Sequence, residues 1–336
     1  MRAIGYTTPG PADVLGDLAL PEPEPAGSDL LVEVRAVSVN PVDTKVRRSS
    51  APPPGEAKVL GWDASGVVRA VGPAVTGFAA GDEVWYAGSV TRPGANSELH
   101  LVDERVVAHK PASLDFAAAA AMPLTTITAW ELLFDRLGVG RDGGSGKSLL
   151  VVGAAGGVGS MLVQLASRLT GLRVIGTASR PQTADWVRGL GADDVVDHSL
   201  PLAGQLADLG VPAVDYIASL THTDQHFPQL AEVIAPQGRL GLIDDPQHLD
   251  VRLLKQKAAS LHWEYMFARS MFGTPDLAEQ HRLLAEVASL VDAGALRSTV
   301  AEVAGEITAA NLRAAHEFLE SGRAIGKVVL AGWPVG

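Results

Sequence analysis

The chain has 336 residues, 47% of them apolar, with 36 glycines and no cysteine. A formal charge of −11 argues against a nucleic-acid or anionic-membrane partner, because phosphate surfaces are gripped by clustered lysine and arginine. Lack of cysteine excludes disulfides, thiolate nucleophiles and cysteine zinc sites.

Length and composition together point to a globular α/β protein of two domains. The N-terminus has no basic region followed by an apolar core, so no secretory signal is expected and the cytoplasm is the default location. Residues 1–110 read mostly as strands. Leu30 to Val39 alternates apolar and polar residues, as a half-exposed strand does. Gly66 to Gly72 and Asp82 to Tyr86 are short strand candidates bounded by glycine. The proline run Pro21 to Pro25 cannot donate to a sheet ladder and reads as an exposed connection. Many short strands separated by turn signals suggest a partly open barrel.

From Ser113 the character changes. Leu114 to Leu137 is alanine-rich and helical, interrupted at Pro123. Gly143 to Ser148 ends like a phosphate-binding P-loop. Its required first glycine is Arg141, however, and Lys147-Ser148 precede the next strand instead of following one, so the segment reads as a connection.

Leu149 to Val152 is a fully apolar run, as a buried parallel strand should be. Gly153, Ala154, Gly156, Gly157, Val158 and Gly159 follow, and then Met161, Leu162, Leu165 and Leu169 recur at helical spacing. This is the dinucleotide fingerprint with Ala154 at its first glycine. A turn this tight needs backbone angles that Cβ forbids, and a pyrophosphate can then approach the backbone. A helix opening at Gly159 would aim free N–H groups at that phosphate. The longest apolar window of the chain is this stretch, and its glycines and Gln164 suit a nucleotide fold better than a membrane span.

Leu172 to Ala178 reads as the next buried strand. Proteins preferring NAD end this strand with a carboxylate on the ribose; here Ser179 and Arg180 stand there. A hydroxyl and a guanidinium suit a 2′-phosphate, so the cofactor expected is NADPH. Val195-Val196, Ala213 to Ala218, Arg239 to Ile243 and Ser260 to Phe267 follow as strands, which makes the second domain a doubly wound parallel sheet. Loops after strand carboxyl ends line the cofactor crevice in such sheets, which brings Leu220, His222 and Ile243 to the cofactor. His222, His226 and Asp244 admit three readings: acid/base help from His222, a metal site, or the capping of a helix. Helices at Asp276 to Ala293 and Ala309 to Glu320 and a strand at Lys327 to Leu330 complete the chain.

Several motifs together resemble the medium-chain dehydrogenase/reductase superfamily, and more narrowly its zinc-free quinone oxidoreductase branch. They are Val39-Asn40-Pro41-Val42-Asp43, Gly61 to Val68, Gly81-Asp82-Glu83-Val84, Met122 to Trp130, the glycine turn, and Gly326-Lys327-Val328-Val329-Leu330. The resemblance implies a GroES-like catalytic domain into which a Rossmann domain is inserted, with a division at 1–123, 124–267 and 268–336. It also implies a homodimer paired through Rossmann edge strands, with Ser260 to Phe267 as that edge. Zinc-dependent members carry cysteine near Asn40 and Gly-His-Glu at Gly61-Trp62-Asp63. Trp62 cannot ligate and Asp63 alone is insufficient, so no metal is expected.

The matching positions of the zinc-free branch put Asn40 and Asp43 at the pocket mouth, where the Asn40 amide can donate to a carbonyl or quinone oxygen. Asp43 is either that or the cap of a turn. Tyr86 is either a proton source or a core tyrosine closing a strand. The resemblance further implies Thr126 near the nicotinamide ribose, His198 at the adenosine end, and Lys327 reaching a phosphate. The activity implied is hydride transfer from NADPH to a quinone or α,β-unsaturated carbonyl. A zinc alcohol dehydrogenase and a non-catalytic NADPH-binding sensor are the alternatives.

Overall fold

The computed structural model describes residues 1–334. They group into two compact units, Met1–Ile127 with Phe267–Gly336, and Thr128–Met266.

The first unit is built on a seven-stranded sheet. Its order is Val300–Val303, Lys327–Ala331, Asp29–Ser38, Ala64–Val71, Glu83–Tyr86 and Val107–His109, with Leu99–Asp103 also pairing Asp29–Ser38. Asp29–Ser38 sits at the centre and alternates half-exposed and buried residues over most of its length, which is why its pattern was readable as a strand. Gly16–Ala19, Arg2–Tyr6 and Lys58–Val59 form a second, antiparallel sheet. Neither sheet closes on itself, so the barrel is open, as expected. Five strands within residues 1–110 escape the periodicity reading: Arg2–Tyr6, Gly16–Ala19, Lys58–Val59, Leu99–Asp103 and Val107–His109.

The second unit is a six-stranded sheet, every neighbouring pair parallel. Its strands are Ser148–Val152, Arg173–Thr177, Asp194–Val196, Val214–Ser219, Ile234–Leu242 and Ser260–Trp263. Counted along the chain, their order in space is 3-2-1-4-5-6. This is the doubly wound nucleotide-binding arrangement, and the winding reverses between the first and fourth strands. Ser148–Val152 is buried at every position, as a strand covered by helices on both faces must be. One core face packs Leu150, Ile217, Leu240 and Leu242 of the sheet against Phe227 and Leu230 of the helix Thr223–Val233.

Between Ser113 and Leu137 the helical stretch breaks into Phe116–Ala120, Pro123–Trp130 and a π-helical turn, Glu131–Arg136. Proline at 123 starts a helix here, where its missing N–H is harmless. Phe116–Arg136, and not the glycine-turn region, is the helical stretch long and apolar enough to cross a membrane among the described residues; 78% of that window is buried in the protein.

Candidate functional site

The second unit carries a tight glycine turn. Gly153 has φ +81° and Gly156 precedes the helix Gly157–Leu169. The helix thus opens two residues earlier than its apolar spacing suggests, so Gly157, Val158 and Gly159 form its first turn, whose N–H groups have no partners within the helix. A Cβ on Gly159 would meet the Gly153 carbonyl oxygen at 2.4 Å and the Ala154 Cα at 2.6 Å. This glycine is required by helix–strand packing. A Cβ on Gly156 would meet only the Gly153 oxygen, at 3.5 Å. Nothing inside the protein therefore demands glycine at 156.

Beside the turn, at the reversal between the first and fourth strands, lies a cavity of about 350 Å³ lined by Val152, Gly153, His198, His222, Gln225 and His226, among others. The Gly153 N–H donates to Thr177 Oγ1 at 3.2 Å, and the same hydroxyl lies 3.2 Å from His198 Nδ1. Leu220 N–H donates to the Val152 carbonyl oxygen at 3.2 Å and ties the ends of the first and fourth strands together. Ile243 follows directly on the fifth strand and is half-buried. Ser179 is exposed, and Arg180 occupies the N-cap position of the helix Pro181–Gly189. Neither lines the cavity.

His222 is exposed, has φ +49°, and bonds through Nδ1 to Thr221 Oγ1 at 2.8 Å. It stands at the N-cap position of Thr223–Val233 without a capping bond from its side chain. The cap is Asp244, whose carboxylate accepts the Thr223 N–H at 2.8 Å and the Thr223 hydroxyl. The metal reading of His222, His226 and Asp244 fails on the same geometry, because the Asp244 carboxylate is taken by the helix end. Among the described residues no three His, Asp or Glu gather as metal ligands would.

The first unit holds a different constellation. Asn40, Asp43, Asp63 and Lys327 are all buried, each at most 3% exposed. Asp43 is the third residue of the helix Pro41–Ser49 and its Oδ2 accepts the Asn40 N–H at 2.7 Å, while Oδ1 accepts the Gly61 N–H at 3.1 Å. It is therefore a helix-capping carboxylate, the second of its two readings. Asn40 Nδ2 donates to Asp63 Oδ2 at 3.1 Å, and Asn40 Oδ1 accepts from the Lys327 ammonium. Lys327 also bonds the Val39 carbonyl oxygen at 2.8 Å and lies 3.2 Å from Asp63 Oδ2. Asp63 Oδ1 accepts the Leu124 N–H at 3.1 Å.

Two expectations are corrected here. Lys327 does not point to a phosphate; its ammonium is enclosed by Val39, Asn40 and Asp63. Tyr86 ends its strand fully buried, its hydroxyl 3.0 Å from His100 Nδ1 and its ring stacked on that imidazole. Burial pushes its hydroxyl far above the ordinary tyrosine value, so it is a core tyrosine and no proton source at neutral pH. Thr126, in the helix Pro123–Trp130, is fully buried and its Oγ1 has no hydrogen-bond partner. A buried hydroxyl left open in this way is one a ligand can satisfy.

Lys327 offsets part of the negative charge in the cluster. Burial pushes the Asp43 carboxyl up to about 7, against the Asn40 N–H and the Lys327 ammonium, which hold it down. Burial likewise pushes Asp63 up to about 6, opposed first by Lys327. Burial also lowers the Lys327 ammonium, while both carboxylates raise it. These residues do not fit zinc. Trp62 has no ligating atom and its indole N–H donates to the Ser89 carbonyl oxygen at 3.0 Å, and Asp63 already carries an ammonium.

Sequence reasoning missed Asp63 and Lys327 as partners. The signal available was a lone carboxylate and a lone lysine, each in an apolar strand-like run, since such charges are buried only when paired.

A family profile described as an alcohol dehydrogenase GroES-like domain matches residues 26–112. A second, described as a zinc-binding dehydrogenase, matches residues 190–330. A zinc-type alcohol dehydrogenase-like protein of Staphylococcus aureus is 40% identical over 315 residues, 92% of each chain. A Rhizobium etli protein provisionally classed as a zinc-dependent alcohol dehydrogenase is 56% identical, with a TM-score of 0.95 over 100% of this chain and 99% of that one. The Escherichia coli quinone oxidoreductase, solved with NADPH, is 26% identical, with a TM-score of 0.85 over 98% of this chain and 100% of that one.

Proposed function

The chain belongs to the medium-chain dehydrogenase/reductase superfamily, in its zinc-free quinone oxidoreductase-like branch, and from that premise we propose that it reduces a quinone or α,β-unsaturated carbonyl with NADPH and without zinc. What supports the reading is the glycine turn of the second unit and, in the first unit, a buried Asn40–Asp63–Lys327 cluster whose ammonium already engages the Asp63 carboxylate. The similarity to an NADPH-bound quinone oxidoreductase supports the acceptor class.

Bound NADPH supplies the hydride. The chain's own residues then do the binding, positioning and proton holding. The turn offers its N–H groups and the positive end of the helix Gly157–Leu169 to the pyrophosphate, and the space left open at Gly156 is what close approach needs. Arg180 and Ser179, on the loop after Thr177, supply charge and a hydroxyl for the 2′-phosphate. The resemblance assigns Thr126, whose buried Oγ1 has no hydrogen-bond partner, to the nicotinamide half. In the first unit, Lys327 fixes the Asn40 amide by holding its oxygen. With Asp43 and Asp63 both ionised the cluster has one negative charge in excess, so it binds a proton readily near neutral pH and can hold one for the product oxygen. Reduction of an acceptor needs that proton in addition to the hydride.

The test is NADPH oxidation against a panel of quinones, enones and simple aldehydes. Turnover with quinones or enones and none with simple aldehydes is expected. Tight NADPH binding with no turnover on any acceptor would instead favour a non-catalytic cofactor-binding protein.

A further inference from the structure

A second cavity, of about 130 Å³, lies within the first unit, between residues 89–92, the strand Leu99–Asp103 with the short helix Glu104–Val106, and residues 270–277. Its frame starts from a charge conflict. Asp29 and Asp103 stand directly opposite each other on the antiparallel strands Asp29–Ser38 and Leu99–Asp103, where like charges repel. One arginine answers each carboxylate. Arg92 donates from Nη1 and Nη2 to the two oxygens of Asp29, at 2.7 and 3.0 Å. Arg105 donates from Nε and Nη2 to the two oxygens of Asp103, at 2.9 and 2.7 Å. Both guanidiniums and Asp103 line the cavity, whereas Asp29 does not. Asp103 stays ionised at neutral pH: burial raises its pKa, but the bonds from Arg105 and the charges of Arg105 and Arg92 outweigh this and hold it below the ordinary value.

A guanidinium has five N–H groups, and these carboxylate bonds use two on each arginine. Donors therefore remain on both. Ser89, Thr91 and Ser270 add hydroxyl groups to the lining, and Val102, Val106 and Leu277 add an apolar wall. His100 adds no charge. Its Nε2 lies 2.9 Å from the Pro93 carbonyl oxygen, which can only accept, so Nε2 carries the proton and Nδ1 accepts the Tyr86 hydroxyl. Burial pushes the imidazole down to about 4, so it is neutral at pH 7. The walls are also held from behind. The Ser89 carbonyl oxygen accepts the Trp62 indole N–H at 3.0 Å, and Ser270 Oγ donates to the Phe267 carbonyl oxygen at 3.2 Å.

We propose that this cavity binds a small monoanionic organic carboxylate, its oxygens on Arg92 and Arg105 and its hydrocarbon part on Val102, Val106 and Leu277. The planar guanidinium fork matches the two oxygens of a carboxylate. The lining carries two positive charges and one negative, and Asp29 behind Arg92 offsets the excess at longer range. Such an array suits one negative charge; a dianion such as sulfate would bring a second against Asp103. A protein cavity of about 150 Å³ holds benzene, so the slightly smaller space here fits a ligand of about six non-hydrogen atoms. No residue of the second unit lines it, and its occupancy does not depend on the proposed reaction.

Ligand-observed NMR titration of the full chain with butyrate, and with its uncharged isostere butyramide, tests the proposal. Butyrate is expected to bind about tenfold more tightly than butyramide, the worth of one charge-assisted bond. Arg105→Gln keeps the backbone N–H of that position, which Asp103 also accepts, and removes the guanidinium. Arg105 is exposed, so the variant is expected to melt like the wild type. It should weaken butyrate by about tenfold and change butyramide by less than about twofold. The comparison of the two ligands on the wild type stands whatever the stability of the variant. Absence of butyrate binding, equal affinity for butyrate and butyramide, or equal butyrate affinity in the wild type and a folded Arg105→Gln overturns the proposal. None of these results touches the reading of the glycine turn as a nucleotide site.

Discussion

Two glycines three residues apart have different reasons for being glycine, and that difference can be measured. At Gly159 a methyl group would strike backbone atoms that cannot retreat, so Gly159→Ala is expected to cost about 1–3 kcal/mol of stability, seen as a lower thermal midpoint. At Gly156 the space is open, so Gly156→Ala is expected to melt like the wild type and to lose nucleotide affinity. Equal effects of both substitutions on melting would contradict this division. At Lys327 the issue is charge. Lys327→Met leaves Asp63 and Asp43 buried without their cation, at an expected cost of about 3–5 kcal/mol in urea unfolding. Adding Asp63→Asn to that variant should recover part of the loss, since it removes one of the stranded charges. Strict additivity of the two substitutions would show that the ion pair is not the unit of stability. Arg180→Ala should weaken NADPH by about ten- to a hundredfold and leave NADH nearly unchanged; equal losses in a fluorescence titration would sink the 2′-phosphate assignment.

At the level of elements, the π-helical turn Glu131–Arg136 and the strand Ser260–Trp263 bring two buried carboxyl groups together. Arg136 Nε donates to Glu264 Oε2 at 2.9 Å and its guanidinium lies 3.7 Å from Glu131 Oε2. One arginine faces two carboxyls, so the pair retains a proton. Burial first, and then the charge of Glu131, push Glu264 up to about 9. Its folded value lies above the unfolded value near about 4.3. The folded protein thus keeps a proton that the unfolded chain releases, and stability falls as pH rises through that interval. The Asp43 and Asp63 contributions run out about one pH unit above their folded values, by about pH 8. The fall in unfolding free energy between about pH 8 and 9 is therefore expected from Glu264, and Glu264→Gln should flatten it. An unchanged slope in that variant would refute the assignment.

The same contrast explains what could be read from the chain directly. The glycine turn, its strand and its helix are contiguous, so their physics is local and their periodicity shows it. The helix Ala309–Glu320 was likewise legible, from its apolar spacing. Asp63 and Lys327 lie at opposite ends of the chain, and only the pairing of Lys327–Ala331 with Asp29–Ser38, which in turn pairs Ala64–Val71, brings them together. No local pattern encodes that meeting. The histidines of the cavity beside the glycine turn come together for the same reason, through the order of parallel strands. Asp43 was half legible: an acidic residue three positions after an N-cap asparagine signals a helix start, but its contact with Gly61 is long-range.

For the molecule as a whole, the strand Ser260–Trp263 is the outer edge of the parallel sheet, with Trp263 54% exposed and Tyr265 48% exposed beside it. An unpaired edge bearing large apolar side chains invites a second copy, and a homodimer through this edge is expected. Light scattering should give twice the chain mass, and Trp263→Lys should shift it toward the monomer. A monomer mass for the wild type would remove the proposal.

The central claim is hydride transfer without zinc by a protein whose buried Lys327 ammonium engages the Asp63 carboxylate. It is tested most directly by measuring NADPH-dependent quinone reduction alongside zinc content, before and after dialysis against a chelator. The account predicts the same rate throughout and zinc far below one atom per chain. One zinc per chain, with activity lost on chelation and restored by added zinc, would contradict it.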